Sequence, residues 1–172
     1  MTPPILSIVA RSGTGKTTLL EKVIGELKSR GYRVGVIKHD AHDFDIDHEG
    51  KDSWRLTRAG ADTMLIASAQ KMAMVKQNRG GEPALTEIAA RYCSDLDIVL
   101  TEGFKAGVMP KIEVWRSSCG VPLLCRGDTN DPALIAVAAD EPLTLDVPVY
   151  DINDSAGLAE LIVARFLPRR QD

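Results

Sequence analysis

The sequence predicts a three-layer α/β fold with a mostly parallel sheet and an inserted β-hairpin, and three observations lead there. The first is an apolar run, Ile5-Leu6-Ser7-Ile8-Val9, that breaks into Ala10-Arg11-Ser12-Gly13-Thr14-Gly15-Lys16-Thr17-Thr18. Apolar residues then resume at helical spacing as Leu19, Leu20, Val23, Ile24 and Leu27. The second is Arg33-Val34-Gly35-Val36-Ile37-Lys38, a strand close enough behind that helix to make a βαβ unit with parallel strands. The third is Ile98-Val99-Leu100, apolar at every position as a strand buried inside a parallel sheet must be.

Strand, glycine loop and helix in that order are the context of a phosphate-binding P-loop. Gly13 and Gly15 let backbone N–H groups turn inward around phosphate oxygens, and the helix N-terminus adds positive potential. Lys16 then reaches the β- and γ-phosphates, and the Thr17 hydroxyl ligates Mg²⁺. The plain alternative is a glycine turn with Lys16 and Thr17 merely solvated; the flanking strand and amphipathic helix favour the P-loop. Ala10 stands where the pattern begins with glycine, which the loop tolerates if the backbone there keeps a negative φ.

Gly31 caps the first helix near Arg30. From His39 to Ser53 the chain carries three histidines and six acidic residues in fifteen positions, at the carboxyl end of the second strand, where the P-loop opens. Three readings stand side by side. One is a solvated acidic loop. Another is a transition-metal site of His39, His42 and His48, although the spacing matches no familiar zinc pattern. The third is a nucleotide-sensing loop in which Asp40 supplies a carboxylate to Mg²⁺, directly or through water. A short helix from Asp52 ends at Gly60, and Lys51, Arg55 and Arg58 share one of its faces. They meet a phosphorylated substrate, complement the acidic loop, or simply face solvent.

Thr63–Ala67 and Lys71–Val75, joined by Ser68-Ala69-Gln70, predict an antiparallel hairpin whose Met64, Met72 and Met74 serve core or interface packing. A helix is expected over Pro83–Tyr92. After Ile98-Val99-Leu100 come Thr101-Glu102-Gly103-Phe104-Lys105. Glu102 thus falls at a strand's carboxyl end, the place of a Walker B acid, where it holds a Mg²⁺ water or polarises an attacking one. The bland alternative is a surface glutamate. Lys105 adds charge nearby. Pro110–Arg116 is a further strand, expected next in the sheet, and Leu134–Ala139 another. Asp140 after it is a candidate acceptor for guanine N1 and N2, without an Asn-Lys-x-Asp sequence behind it. Val147–Tyr150 is the last strand, and Ser155–Leu167 the last helix, ended by Pro168.

A length of 172 residues suits a single domain spanning 1–172. A net charge of −3 gives no electrostatic reason to expect nucleic acid or an anionic membrane, and no apolar run approaches the ~20 residues that cross a bilayer. The start lacks the basic region of a signal peptide. Three cysteines without C-x-x-C spacing read as reduced thiols of a cytoplasmic protein.

These residues together resemble a family. Ser12-Gly13-Thr14-Gly15-Lys16-Thr17-Thr18, Ile37-Lys38-His39-Asp40 with His42-Asp43-Phe44-Asp45-Ile46-Asp47, Gly50-Lys51-Asp52-Ser53, Ala59-Gly60-Ala61 and Thr101-Glu102-Gly103-Phe104-Lys105 are similar, in that order, to the MobB family of GTP-binding adapters in molybdopterin guanine dinucleotide biosynthesis. The resemblance implies a P-loop GTPase fold, Mg²⁺·GTP binding with weak hydrolysis, a homodimer, and a partner, the guanylyltransferase MobA, that joins GMP to molybdopterin. By position it implies that Ser12, Gly13, Thr14, Gly15, Lys16, Thr17 and Thr18 bind phosphate and Mg²⁺, with Asp40 and Glu102 near the metal. Asp140 as base reader is no part of it. Two rival classes share the P-loop: a small-molecule kinase, which wants an arginine-rich lid beyond Arg55 and Arg58, and a metallochaperone GTPase using the histidines. Slow turnover is expected, since the sequence has no obvious arginine finger.

Overall fold

The computed structural model describes residues 2–39, 44–127 and 129–168. In chain order it forms β1 (Ile5–Ala10), α1 (Lys16–Ser29), β2 (Val34–Lys38), α2 (Asp52–Arg58), β3 (Thr63–Ala67), β4 (Met72–Lys76), α3 (Leu85–Tyr92), β5 (Ile98–Glu102), β6 (Lys111–Trp115), β7 (Leu134–Ala139), β8 (Val149–Asp151) and α4 (Ser155–Phe166). The chain divides into two compact units, Met1–His39 with Ile88–Asp172, and Asp40–Glu87.

Among the described residues, the first unit is built on a six-stranded sheet of order β2-β5-β1-β6-β7-β8, every pair parallel. All six positions of β1 are buried, because it has a neighbour on each side and covered faces above and below. Leu6, Ile8 and Ala10 pack with Leu19, Val23 and Leu27 of α1 and Leu158 and Ile162 of α4. Val9 joins Val137 and Ala139 on the opposite face, under Cys125, Leu123 and Leu145. The result is the predicted three-layer arrangement. β6 does not follow β5 in the sheet: β1 lies between them, since a strand apolar on both faces needs partners on both edges. Asp154 caps α4 by accepting the Gly157 N–H at 2.9 Å.

The second unit contains the antiparallel β3–β4 hairpin, paired from Thr63↔Lys76 to Ala67↔Met72. Its link is one residue longer than expected, because Ser68 closes it: the Ser68 N–H donates to the Lys71 carbonyl at 2.9 Å. The Ser68 Oγ accepts the Lys71 N–H in return at 3.2 Å. Met72 is 70% exposed, and Leu65 and Ile66 are more than half exposed, so these three apolar side chains are left largely uncovered by the described residues.

β6 carries two charged side chains into the sheet's interior. Lys111 and Glu113 are each 1% exposed. Lys111 Nζ pairs with Asp131, and the Glu113 carboxylate accepts the N–H groups of Leu124 at 2.5 Å and Cys125 at 2.9 Å. Arg126 donates to the Cys125 and Asp131 carbonyls and pairs with Asp146. This polar layer ties Leu124, Cys125, Arg126 and Asp131 to the sheet. Burial, with Glu113 beside it, pushes the Cys125 thiol up to about 12, so it stays protonated.

Removing the carboxylate of this pair should cost far more than replacing the cation by an apolar side chain, because the ammonium is buried and the carboxylate reaches water. Asp131→Ala is expected to lose ~3 kcal/mol in urea unfolding, since it strands the Lys111 ammonium. Lys111→Met leaves Asp131, which is 22% exposed, free to hydrate. It should lose ~1 kcal/mol or less.

Candidate nucleotide-binding site

The P-loop rises from the carboxyl end of β1 between two neighbours. In register, Ile8 faces Glu102 of β5, and Ala10 faces Val114 of β6. The loop 11–15 therefore has the end of β5 on one side and Arg116, just past β6, on the other. Gly13 and Gly15 both take left-handed backbone, with φ of 83° and 86°. Ala10 is the last residue of β1 and is not among the positive-φ positions, so the missing first glycine does not alter the turn. Gly15 caps α1 with no side-chain acceptor, and the first turn holds no acidic residue. The N–H groups that open α1 thus point from the loop with the helix's positive end behind them. Thr14 is buried, and its hydroxyl donates to the Arg11 carbonyl at 3.2 Å, which closes the loop on itself. Ser12, Thr17 and Thr18 are exposed along its outer edge.

Lys16, Thr17 and Glu102 converge. Lys16 Nζ forms an ion pair with Glu102 Oε1, and Thr17 Oγ1 donates to the same oxygen at 3.2 Å. The Lys16 and Glu102 side chains are 17% and 15% exposed, so the pair is shielded from water but open at one side. The Lys16 hydrogen bond holds the Glu102 carboxyl below its ordinary range, against the opposing effect of burial. Beneath them the Thr101 hydroxyl donates to Ser7 Oγ at 2.9 Å in the buried face of the sheet. Gly103 then turns the chain away with a φ of 106°; a Cβ there would lie 3.1 Å from the His39 Cβ. Phe104 follows at φ 47°, a left-handed conformation that costs an aromatic residue energy, and its ring lies 4.9 Å from that of His39.

On the opposite side of the loop, Arg116 Nε donates to the Thr14 carbonyl at 2.8 Å. The next residue, Ser117, is held by Asp140, whose Oδ1 accepts its N–H at 2.8 Å while Oδ2 lies 3.4 Å from its hydroxyl. Asp140 also borders a cleft of 310 Å³ past the ends of β7 and β8, with Glu141, Pro142, Leu143, Tyr150 and Asp151.

The structure thus brings together Lys16, Thr17 and Glu102 at the P-loop, and places Asp140 on the far side beside Arg116. Asp40 and His42 lie outside the described residues. Among the described residues, no three His, Cys, Asp or Glu side chains gather as a metal site. Arg58 pairs with Asp45 at 3.0 Å and lies over the Trp54 ring, so it complements the acidic segment, while Arg55 pairs with Asp52. Arg116 was not singled out by the sequence, which gave it as the end of a strand. The available signal was a cation at the carboxyl end of a strand, and only the sheet order sets that strand beside β1.

Residues 5–140 match the family model of MobB, molybdopterin guanine dinucleotide synthesis protein B. The chain is 45% identical over 164 residues to a molybdopterin-guanine dinucleotide biosynthesis adapter protein of Escherichia coli, covering 93% of this chain and 91% of that one. It is 40% identical over 161 residues to the adapter protein of the same name in Haemophilus influenzae, covering 92% and 87%. In structure it is similar to a crystallised molybdopterin-guanine biosynthesis protein B, with a TM-score of 0.74, 31% identity, and coverage of 93% and 98%.

The depressed Glu102 carboxyl links stability to pH. A group whose folded value lies below its ordinary 4.5 stabilises the protein above that pH and loses the contribution as pH falls through the folded value. Wild type should exceed Glu102→Gln by ~1 kcal/mol at neutral pH. The gap should narrow as pH falls below 4.5, read by thermal unfolding of both proteins across that range.

Proposed function

The chain belongs to the MobB family of molybdopterin guanine dinucleotide synthesis proteins, and from that premise we propose that it is a GTP-binding adapter of that biosynthesis. It is a single cytoplasmic GTP-binding domain, works as a homodimer, hydrolyses GTP slowly with Mg²⁺, and serves a MobA-type guanylyltransferase acting on molybdopterin. The observation that carries the reading is the meeting of Lys16, Thr17 and Glu102 at the mouth of the glycine loop.

Each side chain has a role its position supports. The N–H groups from Gly13 to Thr18 cradle phosphate oxygens, with Ser12 and Thr14 shaping the turn. Lys16 leaves Glu102 for the β- and γ-phosphates, a move between two anions that leaves its charge compensated throughout. The oxygens of Thr17 and Glu102 suit a hard cation. They stand 3.2 Å apart. Adjacent ligands of an octahedral Mg²⁺ with bonds of 2.0–2.1 Å lie about 2.9 Å apart. Mg²⁺ bound there would neutralise charge building on the β- and γ-phosphate oxygens. Glu102, freed from Lys16, orients an attacking water. From the sequence alone, where it follows β2, Asp40 is the second carboxylate offered to the metal. Asp140, at the rim of the cleft beyond the loop, is the acceptor offered to guanine N1 and N2.

The hairpin supports the homodimer. An isolated two-stranded sheet is marginal in water. Here its Leu65, Ile66 and Met72 are exposed, and a second copy of the same hairpin would supply the missing apolar surface. Among the described residues, no helix is long and apolar enough to cross a membrane.

Lys16→Ala should weaken GTP binding by about 100-fold or more and abolish turnover, because the lost cation serves ground and transition states alike. Glu102→Gln should lower turnover about 100-fold and leave GTP affinity within about threefold, measured by calorimetry and phosphate release. A comparable loss of affinity would make Glu102 structural. Ile66→Glu should convert a dimer to monomer in sedimentation equilibrium; an unchanged mass would remove the hairpin from the interface.

A further inference from the structure

The nucleotide reading uses the β5 side of the P-loop and leaves the β6 side without a role. Arg116 occupies it. Its Nε donates to the Thr14 carbonyl at 2.8 Å. A Cβ on Gly15 would lie 3.4 Å from its Nη2, 3.5 Å from Nε and 3.8 Å from Cζ, so the guanidinium lies along the glycine that opens α1. Gly15 is therefore constrained twice, by its positive φ and by the cation beside it. Arg116 is half-buried, and among the described residues its Nη1 and Nη2 donate to no protein acceptor.

This placement is electrostatically odd for the protein alone. A cation at the positive end of a helix is repelled by it. α1 carries no acidic residue in its first turn, and the carboxylate at the loop's other side is taken by Lys16. Asp140 holds the residue next to Arg116 rather than the guanidinium itself. A charge kept there by a hydrogen bond to the loop, with its fork unspent, is arranged for an anion that arrives with the ligand.

Position decides which part of the ligand. The strands run in the order β5, β1, β6, β7, β8 across the carboxyl edge. Thr17 and Glu102 mark the metal and terminal-phosphate side at β5, and the cleft bordered by Asp140 and Tyr150 lies past β7 and β8. Arg116 stands between them. We infer that Arg116 binds the inner phosphates of the nucleotide, the α- and β-phosphates shared by GDP and GTP, from the side of the P-loop opposite the metal. The inference rests on the nucleotide reading above. It makes Arg116 a residue of retention: it grips product as well as substrate, and it does not bear on the γ-phosphate as a catalytic finger does.

The test compares wild type with Arg116→Gln and Arg116→Ala, titrated calorimetrically with GDP in EDTA and with GTP in Mg²⁺. Gln is the informative change, since its Nε2 stands at the same point along the side chain as the arginine Nε. It keeps the bond to the Thr14 carbonyl and removes the cation. Both variants should lose roughly 10- to 100-fold in affinity, by similar factors for GDP and GTP, and Arg116→Gln should do so with unchanged melting temperature. Wild-type affinity in Arg116→Gln would make the side chain a clip for the loop and overturn the inference. A loss confined to GTP would move Arg116 to the γ-phosphate and overturn it too. Failure of wild type to bind either nucleotide would instead end the nucleotide reading itself, and this inference with it.

Discussion

The pairing of β1 with β5 is the constraint on which the site depends. Ser7 sits beside Thr101 and Ile8 beside Glu102, with the buried Thr101–Ser7 hydrogen bond crossing the same pair of strands. Ile98 and Leu100 turn toward the core that α1 covers, and Glu102, two residues on, shares their face. That is why its carboxylate meets Lys16 and Thr17 in the first turn of α1. A slip of one residue would turn Glu102 to the other side of the sheet, bury it beside the polar layer of β6, and leave Lys16 unpaired. Ion pair, core and loop are therefore one arrangement.

The other half of the edge is organised by β6. Its inward-facing Lys111 and Glu113 are expensive to bury, and each is matched: Lys111 by Asp131, Glu113 by two backbone N–H groups. The matched charges hold the long segment after β6 against the sheet. Arg11 donates to the Pro122 carbonyl in that segment, so the P-loop and the tied-down segment brace each other. Asp140 fixes Ser117, and Arg116 follows the loop as a consequence. A second cation thereby reaches the mouth of the P-loop without being part of its motif.

Much of this was legible in the sequence, for physical reasons. The β1–loop–α1 unit was readable because its chemistry is local: two glycines for positive φ, a lysine and a threonine to open a helix, and an apolar stripe behind them. Glu102 was readable because the apolar run Ile98-Val99-Leu100 marks a strand, and Glu102 is the last residue of that strand. Arg116, Ser117 and the polar layer of β6 were not. They depend on β1 standing between β5 and β6, and parallel order is set by crossovers that no short stretch of sequence encodes. Asp140 was found for its position and turned out to hold a turn as well as to border a cleft. Met72 was expected in a core or an interface, and in this chain it is exposed.

We propose that this edge takes Mg²⁺ and a guanine nucleotide. Calorimetric titration of the purified protein with GTP and with ATP, each with and without Mg²⁺, tests it most directly. Mg²⁺-dependent GTP binding with a preference of about tenfold or more over ATP is the predicted result. Equal or tighter binding of ATP would contradict the guanine assignment and with it the role given to the cleft beside Asp140.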